Sequence, residues 1–290
     1  MDVLFINPGS GKDVYQSLST DYSGIGTPYW ALLLSQSCRS QGYDVGILDI
    51  LAERLSIESS VQRIKEINPR LITFCVYGEN VNSGTTQMSG AVRLAKILKD
   101  EGVDTPISFV GSHVQALPYK VLDEERDIDF IFTNEGVYSL WNVLKLDDLT
   151  DKKQLETIKG IGFIKDEKPF LTQPEKIVPK NRMDLDLPGY AWDLLPYKDK
   201  PLDLYRSPMW HGEYDHDKRT PYAALYTSLG CVYQCEFCMI NILNRDDNDE
   251  IGVASNYNKM RFWSPEFIIK EFDKLIELGV KTIRIADEMF

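Results

Sequence analysis

No apolar run in this 290-residue chain reaches the roughly 20 residues that a bilayer crossing needs, so no membrane span is expected. Met1 to Ser10 carries neither a basic segment nor a small-residue cleavage site, which argues against a secretory leader and for a cytoplasmic protein. Lysine and arginine never gather into a stripe able to neutralise a phosphate backbone. With 32 of them against 44 aspartates and glutamates, the formal net charge is −12, and nucleic acid is a poor partner. Internal repeats and low-complexity segments are missing too, which excludes a solenoid and a disordered chain. Cysteine is scarce and odd in number: five in all, three of them in one short segment. That pattern excludes a disulfide framework and favours metal or redox chemistry in a reducing compartment.

What is present is a 43% hydrophobic content, enough for two domains with separate cores. Val3 to Pro8 reads as a strand and is followed by a Gly-rich loop through Ser10, Gly24 and Gly26. A helix is expected near Pro28 to Gln41, opened by Pro28 and closed by Gly42. Further strands are expected at Val45–Ile50, Leu71–Val76, Ile107–Gly111 and Phe130–Thr133. Helical patterns lie between them, near Ile57–Ile67, Thr86–Glu101 and after Leu117. This alternation implies an α/β fold with a doubly wound parallel sheet, Rossmann- or flavodoxin-like, over residues 1–146. Such sheets bind ligands beyond the carboxyl ends of their strands, which singles out the loops beginning near Asn7, Tyr77, Gly111 and Asn134.

Residues 147–220 read as an ordered connector that includes a β-hairpin over Gly160–Thr172 turning at Lys165–Lys168. From residue 221 the βα rhythm returns, with a strand at Ala223–Ser228, an amphipathic helix at Pro265–Leu278 and a second strand at Lys281–Ala286.

Cys231, Cys235 and Cys238 form a C-x3-C-x2-C segment. A structural zinc site closes with four ligands, and no Cys or His follows Cys238, although His211 and His216 lie upstream. Three thiolates suit a [4Fe–4S] cluster whose fourth iron stays open for a cosubstrate.

The segment Leu229-Gly230-Cys231-Val232-Tyr233-Gln234-Cys235-Glu236-Phe237-Cys238-Met239 resembles the motif of radical S-adenosylmethionine (SAM) enzymes, with an aromatic just before the last cysteine. The resemblance implies that the three cysteines hold the cluster and that the open iron chelates SAM. It further implies that Phe237 packs near the adenine, and that cluster reduction yields a 5′-deoxyadenosyl radical. Arg261 to Glu266 and Lys281 to Phe290 resemble the first helix and second strand of that family's partial (β/α) barrel. Asp287 and Glu288 then stand at the carboxyl end of a barrel strand, where functional groups gather. Only two barrel strands fit into residues 221–290, so the barrel is expected to be incomplete here.

Val110-Gly111-Ser112-His113-Val114-Gln115-Ala116-Leu117-Pro118 and Thr133-Asn134-Glu135-Gly136 resemble two loops of the cobalamin-binding domain that often precedes such a barrel. Ser112 replaces the second of the family's paired glycines, and Asn134-Glu135-Gly136-Val137 stands for its Gly-Glu-Gly-Glu turn. The resemblance implies corrin contacts from Gly111, Ser112, His113, Leu117, Pro118, Glu135 and Gly136. Gly24, Gly26, Thr27 and Pro28 are expected at the same rim. Small residues suit it because a bulky cofactor must approach the backbone closely. Asn7-Pro8-Gly9 stands where families with a cobalt-ligating histidine carry Asp-x-His-x-x-Gly, so the lower cobalt face is expected to lack a protein histidine.

By family analogy the chain is a cobalamin-dependent radical SAM enzyme, with methyl transfer to a small-molecule substrate or related radical chemistry as the reaction and a flavodoxin or ferredoxin as reductant. A different reading is a non-catalytic cobalamin carrier or sensor with a vestigial cluster loop. A methylthiotransferase acting on RNA needs three more cysteines in its first domain, where only Cys38 and Cys75 occur. Those two fall in apolar patterns and read as buried structural thiols. Gly9-Ser10-Gly11-Lys12 lacks the first glycine and the Ser or Thr of a phosphate-binding loop. Trp210 to His216 reads as covered connector or substrate contact.

Overall fold

The computed structural model describes residues 1–9, 24–78, 80–197, 205, 221–233, 235–248 and 260–289. The phosphate-loop look-alike from Ser10 onward, the stretch Trp210–His216 with both of its histidines, Gln234 and Phe290 lie outside them.

Seven strands form one sheet in the order β2-β1-β3-β4-β5-β6-β7. They are β1 (Val3–Asn7), β2 (Val45–Asp49), β3 (Ile72–Cys75), β4 (Ile107–Val110), β5 (Phe130–Phe132), β6 (Ile161–Lys165) and β7 (Lys168–Leu171). Strands β1 to β5 pair in parallel. The order 2-1-3-4-5 is the flavodoxin-like winding, which opens a crevice at the carboxyl edge between β1 and β3.

Both faces of the sheet are covered. Along β1, Val3 and Phe5 point into one core while Leu4 and Ile6 point into the other, the period-two alternation of a strand. Helices α1 (Tyr29–Ser40) and α6 (Val137–Leu144) pack on the first face. Helices α2 (Ile57–Ile67), α3 (Thr85–Asp100), α4 (Ser112–Ala116) and α5 (Pro118–Glu124) contribute to the second. Ser56 caps α2 by accepting from Ser59 N–H, and Pro118 opens α5 at a position where its missing N–H costs nothing.

The hairpin expected in the connector joins this sheet, with β6 antiparallel to β5 and β7 antiparallel to β6. Its turn residues Asp166 and Glu167 have φ of 47° and 61°, the handedness that a two-residue hairpin turn demands.

Strands β8 (Tyr222–Leu225) and β11 (Thr282–Ile285) pair in parallel across helix α7 (Pro265–Glu277), a βαβ unit like the start of a barrel. The single strand expected at Ala223–Ser228 is broken in two, β8 and then β9 (Ser228–Leu229), which pairs antiparallel with β10 (Arg261–Phe262). The break falls at Thr227, whose N–H and hydroxyl both turn to the Asp287 carboxylate instead of a ladder partner, at 2.6 Å each.

The connector packs onto α7. Trp192 Nε1 donates to Glu271, Trp263 Nε1 donates to the Leu187 carbonyl, and Ser264 N–H donates to Asp184, at 2.9, 2.7 and 2.9 Å. Each buried indole N–H has a partner, and the rings supply apolar area to the core.

Candidate functional site

The loops after β3, β4 and β5 face the segment that leads into and out of the cysteines. One cleft is lined by Trp30, Tyr77, Gly78 and Ser112 on the sheet side and by Tyr226, Ser228, Gly230 and Glu288 on the βαβ side. A second cavity of about 660 Å³ lies between Gln115–Lys120, Thr133, Leu171–Pro174 and the chain after the cysteines around Ile242, Arg245 and Asp247.

Backbone proximity shapes the first cleft. Gly111 has φ +154°, and a Cβ there would stand 2.5 Å from the Val76 carbonyl carbon and closer still to its oxygen. A Cβ on Gly84 would run into the Ser112 hydroxyl. Ser112 Oγ and Asn244 Oδ1 are buried with no hydrogen-bond partner. Orphaned buried polar atoms on the wall of a cleft are what a ligand with its own amide groups would satisfy.

Gln115 is the hub of the seam. It is 3% exposed, its Nε2 donates to Tyr77 Oη and to the Asn134 carbonyl, and its Oε1 accepts from Asn244 N–H, all at 3.0 Å. Asn82 Oδ1 accepts from Met239 N–H at 2.9 Å, tying the loop after β3 to the residue that follows Cys238. Tyr77 stacks on Trp30 with ring centroids 4.9 Å apart.

The residues expected at the corrin rim divide. Ser112 lines the first cleft with Gly111 directly behind it in the chain, and Leu117 and Pro118 line the larger cavity. His113 is half-buried with its Nδ1 2.8 Å from Thr85 Oγ1, and burial lowers its pKa. Gly26 is partly exposed, whereas Thr27 is buried and its hydroxyl accepts from Ala224 N–H at 3.0 Å. Thr27 therefore joins α1 to β8, its hydroxyl used by the backbone.

Glu135 departs furthest from expectation. Only 1% of its side chain is exposed, and both carboxylate oxygens are used, accepting from Arg261 at 2.7 and 3.1 Å and from Val178 N–H at 2.6 Å. A carboxylate so far from water needs a cation, and Arg261 supplies it. Gly136 takes φ +81° and opens α6, a turn closed by Gly136 N–H donating to Asn134 Oδ1.

Asp287 and Glu288 also part company. Asp287 accepts from Thr227 N–H, Thr227 Oγ1 and Ser228 Oγ, which commits it to shaping the loop before the cysteines. Glu288 lines the first cleft, and its pKa is raised by desolvation and by the neighbouring Asp287, against a hydrogen bond from Val81 N–H.

The cysteines lie in an exposed loop that Gly230 enters at φ +96°. Cys235 is exposed, Cys231 and Cys238 are partly so, and Cys238 N–H donates to the Cys235 carbonyl at 3.0 Å. All five cysteines are free, and burial pushes the thiols of Cys38 and Cys75 up, as suits inert core residues. Among the described residues no three His, Cys, Asp or Glu side chains are gathered closely enough to hold a metal ion. The fit to a cluster thus lies in the donor set, three thiols on one loop, and not in a preformed cage. Phe237 is 83% exposed.

Residues 17–143 match the B12 binding domain family. That match spans 127 of the 290 residues. Over its whole length the chain is 24% identical to an uncharacterised methyltransferase of Pyrococcus horikoshii, of which it spans 54%. Over 81% of its length it is 25% identical to the cytidylyl-2-hydroxyethylphosphonate methyltransferase of Streptomyces wedmorensis, of which it spans 47%. The chain thus covers about half the length of these curated relatives. Its fold is shared with part of two solved structures. It superposes on OxsB with aqua-cobalamin and S-adenosylmethionine bound at a TM-score of 0.66, with 16% identity over 99% of this chain and 34% of OxsB. On the methyltransferase TsrM of Kitasatospora setae with cobalamin and a [4Fe–4S] cluster bound, the TM-score is 0.63, with 15% identity over 99% and 48% of the two chains.

The sequence reading missed Gln115 as the hub and Asn82 as a tie, because a lone amide carries no spacing signal. The Glu135–Arg261 pair was hidden by a separation of 126 residues. No helix among the described residues is long and apolar enough to cross a membrane.

Proposed function

We propose that this chain provides the corrinoid site and the cluster loop of a cobalamin-dependent radical SAM methyltransferase acting on a small molecule in the cytoplasm. The observation that carries the reading is the shared cleft, where Trp30, Tyr77 and Ser112 of the B12-binding domain and the strand running into Cys231 are walls of one cavity. When bound, a [4Fe–4S] cluster with SAM supplies radical chemistry and cobalamin supplies a transferable methyl group.

Cys231, Cys235 and Cys238 would hold the cluster, drawing their exposed loop together. Gly111, Ser112, Leu117 and Pro118 would receive the corrinoid, with Ser112 Oγ and Asn244 Oδ1 taking hydrogen bonds from its amides. The exposed ring of Phe237 is free to stack on an adenine, and Glu288 stands at the cleft as a carboxylate for the SAM amino group. Val232 and Tyr233, more than half exposed, flank the cysteines where a flavodoxin or ferredoxin would deliver an electron.

The test is anaerobic reconstitution with iron and sulfide, followed by electron paramagnetic resonance of the reduced protein with and without SAM, beside an absorbance titration with hydroxocobalamin. A [4Fe–4S] signal that shifts with SAM and vanishes when the three cysteines become Ala supports the reading. Corrinoid binding with no cluster assigns the chain to a carrier or sensor instead.

A further inference from the structure

We propose that Glu135 is a positioning residue that sets where the cysteine loop stands against the corrinoid crevice, an inference that rests on the function proposed above. Three parts of the chain meet at its carboxylate. The loop after β5 supplies Glu135 itself, the connector donates Val178 N–H, and β10 contributes the Arg261 guanidinium in a two-pronged contact. Arg261 Nη1 also donates to the Val178 carbonyl at 2.8 Å, so the three parts close a ring.

The geometry downstream of that ring gives it a purpose. In the β9–β10 ladder Arg261 pairs with Leu229, and Cys231 follows Leu229 by two residues. Upstream, Asn134 accepts from Gly136 N–H and donates to the Glu175 carbonyl, so Glu135 is held on both sides. The next polar link at the crevice, Gln115, donates to the Asn134 carbonyl. Crevice, Glu135, Arg261, Leu229 and cysteine loop therefore form one chain of contacts.

The side chains at its centre are 1% and 4% exposed, so water does not compete for the contact. A surface pair would have been the commoner choice if only charge balance were needed. A bidentate contact shielded from solvent fixes both direction and distance. Among the described residues Arg261 Nε has no partner, and the guanidinium is aligned by the carboxylate and by the Val178 carbonyl.

The test uses the full chain with three variants. Glu135→Gln keeps the size and loses the charge. Glu135→Met combined with Arg261→Met removes both charges, so that neither is left buried alone and folding is preserved. Asp129→Asn is a control at the opposite edge of the sheet, where the carboxylate accepts from Ile107 N–H and Lys99. Hydrogen exchange by mass spectrometry on the cofactor-free chain should show peptides covering residues 226–232 exchanging about tenfold faster in the first two variants, as local opening becomes easier. Peptides of β1 to β4 should be unchanged in those variants, and residues 226–232 should be unchanged in Asp129→Asn.

In the reconstituted protein, the magnetic coupling between cob(II)alamin and the reduced cluster should weaken or broaden in the first two variants while both signals persist. Unchanged exchange at 226–232 in a folded double-Met variant overturns the proposal, as does unchanged coupling. Absence of a cluster signal in the wild type strikes instead at the proposed function, and the exchange result then still decides the role of Glu135.

Discussion

Replacing Gly111 by alanine should both destabilise the protein and weaken corrinoid binding, because two separate penalties fall on one methyl group. The first is conformational. At φ +154° the backbone lies where L-residues are strained by about 1–3 kcal/mol. The second is steric. The new Cβ stands 2.5 Å from the Val76 carbonyl carbon and 2.8 Å from Val76 Cγ2, and a hydrogen bond of 2.8 Å from Val76 N–H to the Val110 carbonyl keeps the two loops from separating. Overpacking of that kind costs about 1–3 kcal/mol more, for a total near 4 kcal/mol. With a urea slope of about 3 kcal/mol per molar, the unfolding midpoint should fall by about 1 M. Gly102→Ala is the matched control. Its φ is +73°, but a Cβ there meets nothing within 4 Å, so only the backbone penalty applies, about 1 kcal/mol, and the midpoint should move by about 0.3 M. Hydroxocobalamin titration should show a marked loss of affinity for Gly111→Ala and none for Gly102→Ala. Equal midpoints for the two variants, or wild-type corrinoid affinity in Gly111→Ala, would refute the close-approach argument.

Asp49 is 1% exposed, accepts from Asn7, Ala52 N–H and Tyr205, and burial raises its pKa from 3.8 to about 6. Its folded pKa lies above its unfolded one, so its contribution to stability is greatest below pH 4 and is lost as the pH rises through 6. Relative to wild type, Asp49→Asn should therefore gain about 3 kcal/mol between pH 4 and pH 7, read from urea midpoints across that window; a pH-independent difference would refute this. Gln115→Leu strands Tyr77 Oη, the Asn134 carbonyl and Asn244 N–H and should cost about 2–4 kcal/mol, with a lower melting temperature and weaker corrinoid binding together; an unchanged melt would exclude its role as hub. Asp287→Asn puts an amide N–H or a weaker acceptor before three donors from Thr227 and Ser228 and should cost about 1.5–3 kcal/mol in thermal melts, with faster hydrogen exchange at Thr227 as the local signature.

The parallel sheet was legible because its signals are local. Strand runs such as Phe130–Phe132 are wholly apolar, and α2 ends where its pattern ends, at Ile67. Ser112, which lines the cleft, stands in a motif that the sequence displays. The uses of Thr27, Glu135 and Asp287 were not, since each is decided by a partner distant in sequence: Ala224, Arg261 and Thr227. A carboxylate in a loop motif looks the same in sequence whether it faces a cofactor or a buried guanidinium. The broken strand at Thr227 was likewise invisible, because the interruption comes from a side chain 60 residues away.

The seam is asymmetric in what it asks of the two sides. Thr27 Oγ1, Asn82 Oδ1 and Gln115 Oε1 are side-chain acceptors in the B12-binding domain, and they receive backbone N–H groups of Ala224, Met239 and Asn244. Every amino acid but proline presents the same N–H. The contact itself thus asks nothing of the side chains at 224, 239 and 244, whereas drift at 27, 82 and 115 severs it. Hydrogen exchange at the amides of 224, 239 and 244 should therefore quicken in Thr27→Val, Asn82→Ala and Gln115→Leu respectively, whereas Met239→Leu should leave its amide protected, so the fidelity of the seam is written in the side chains of one partner only.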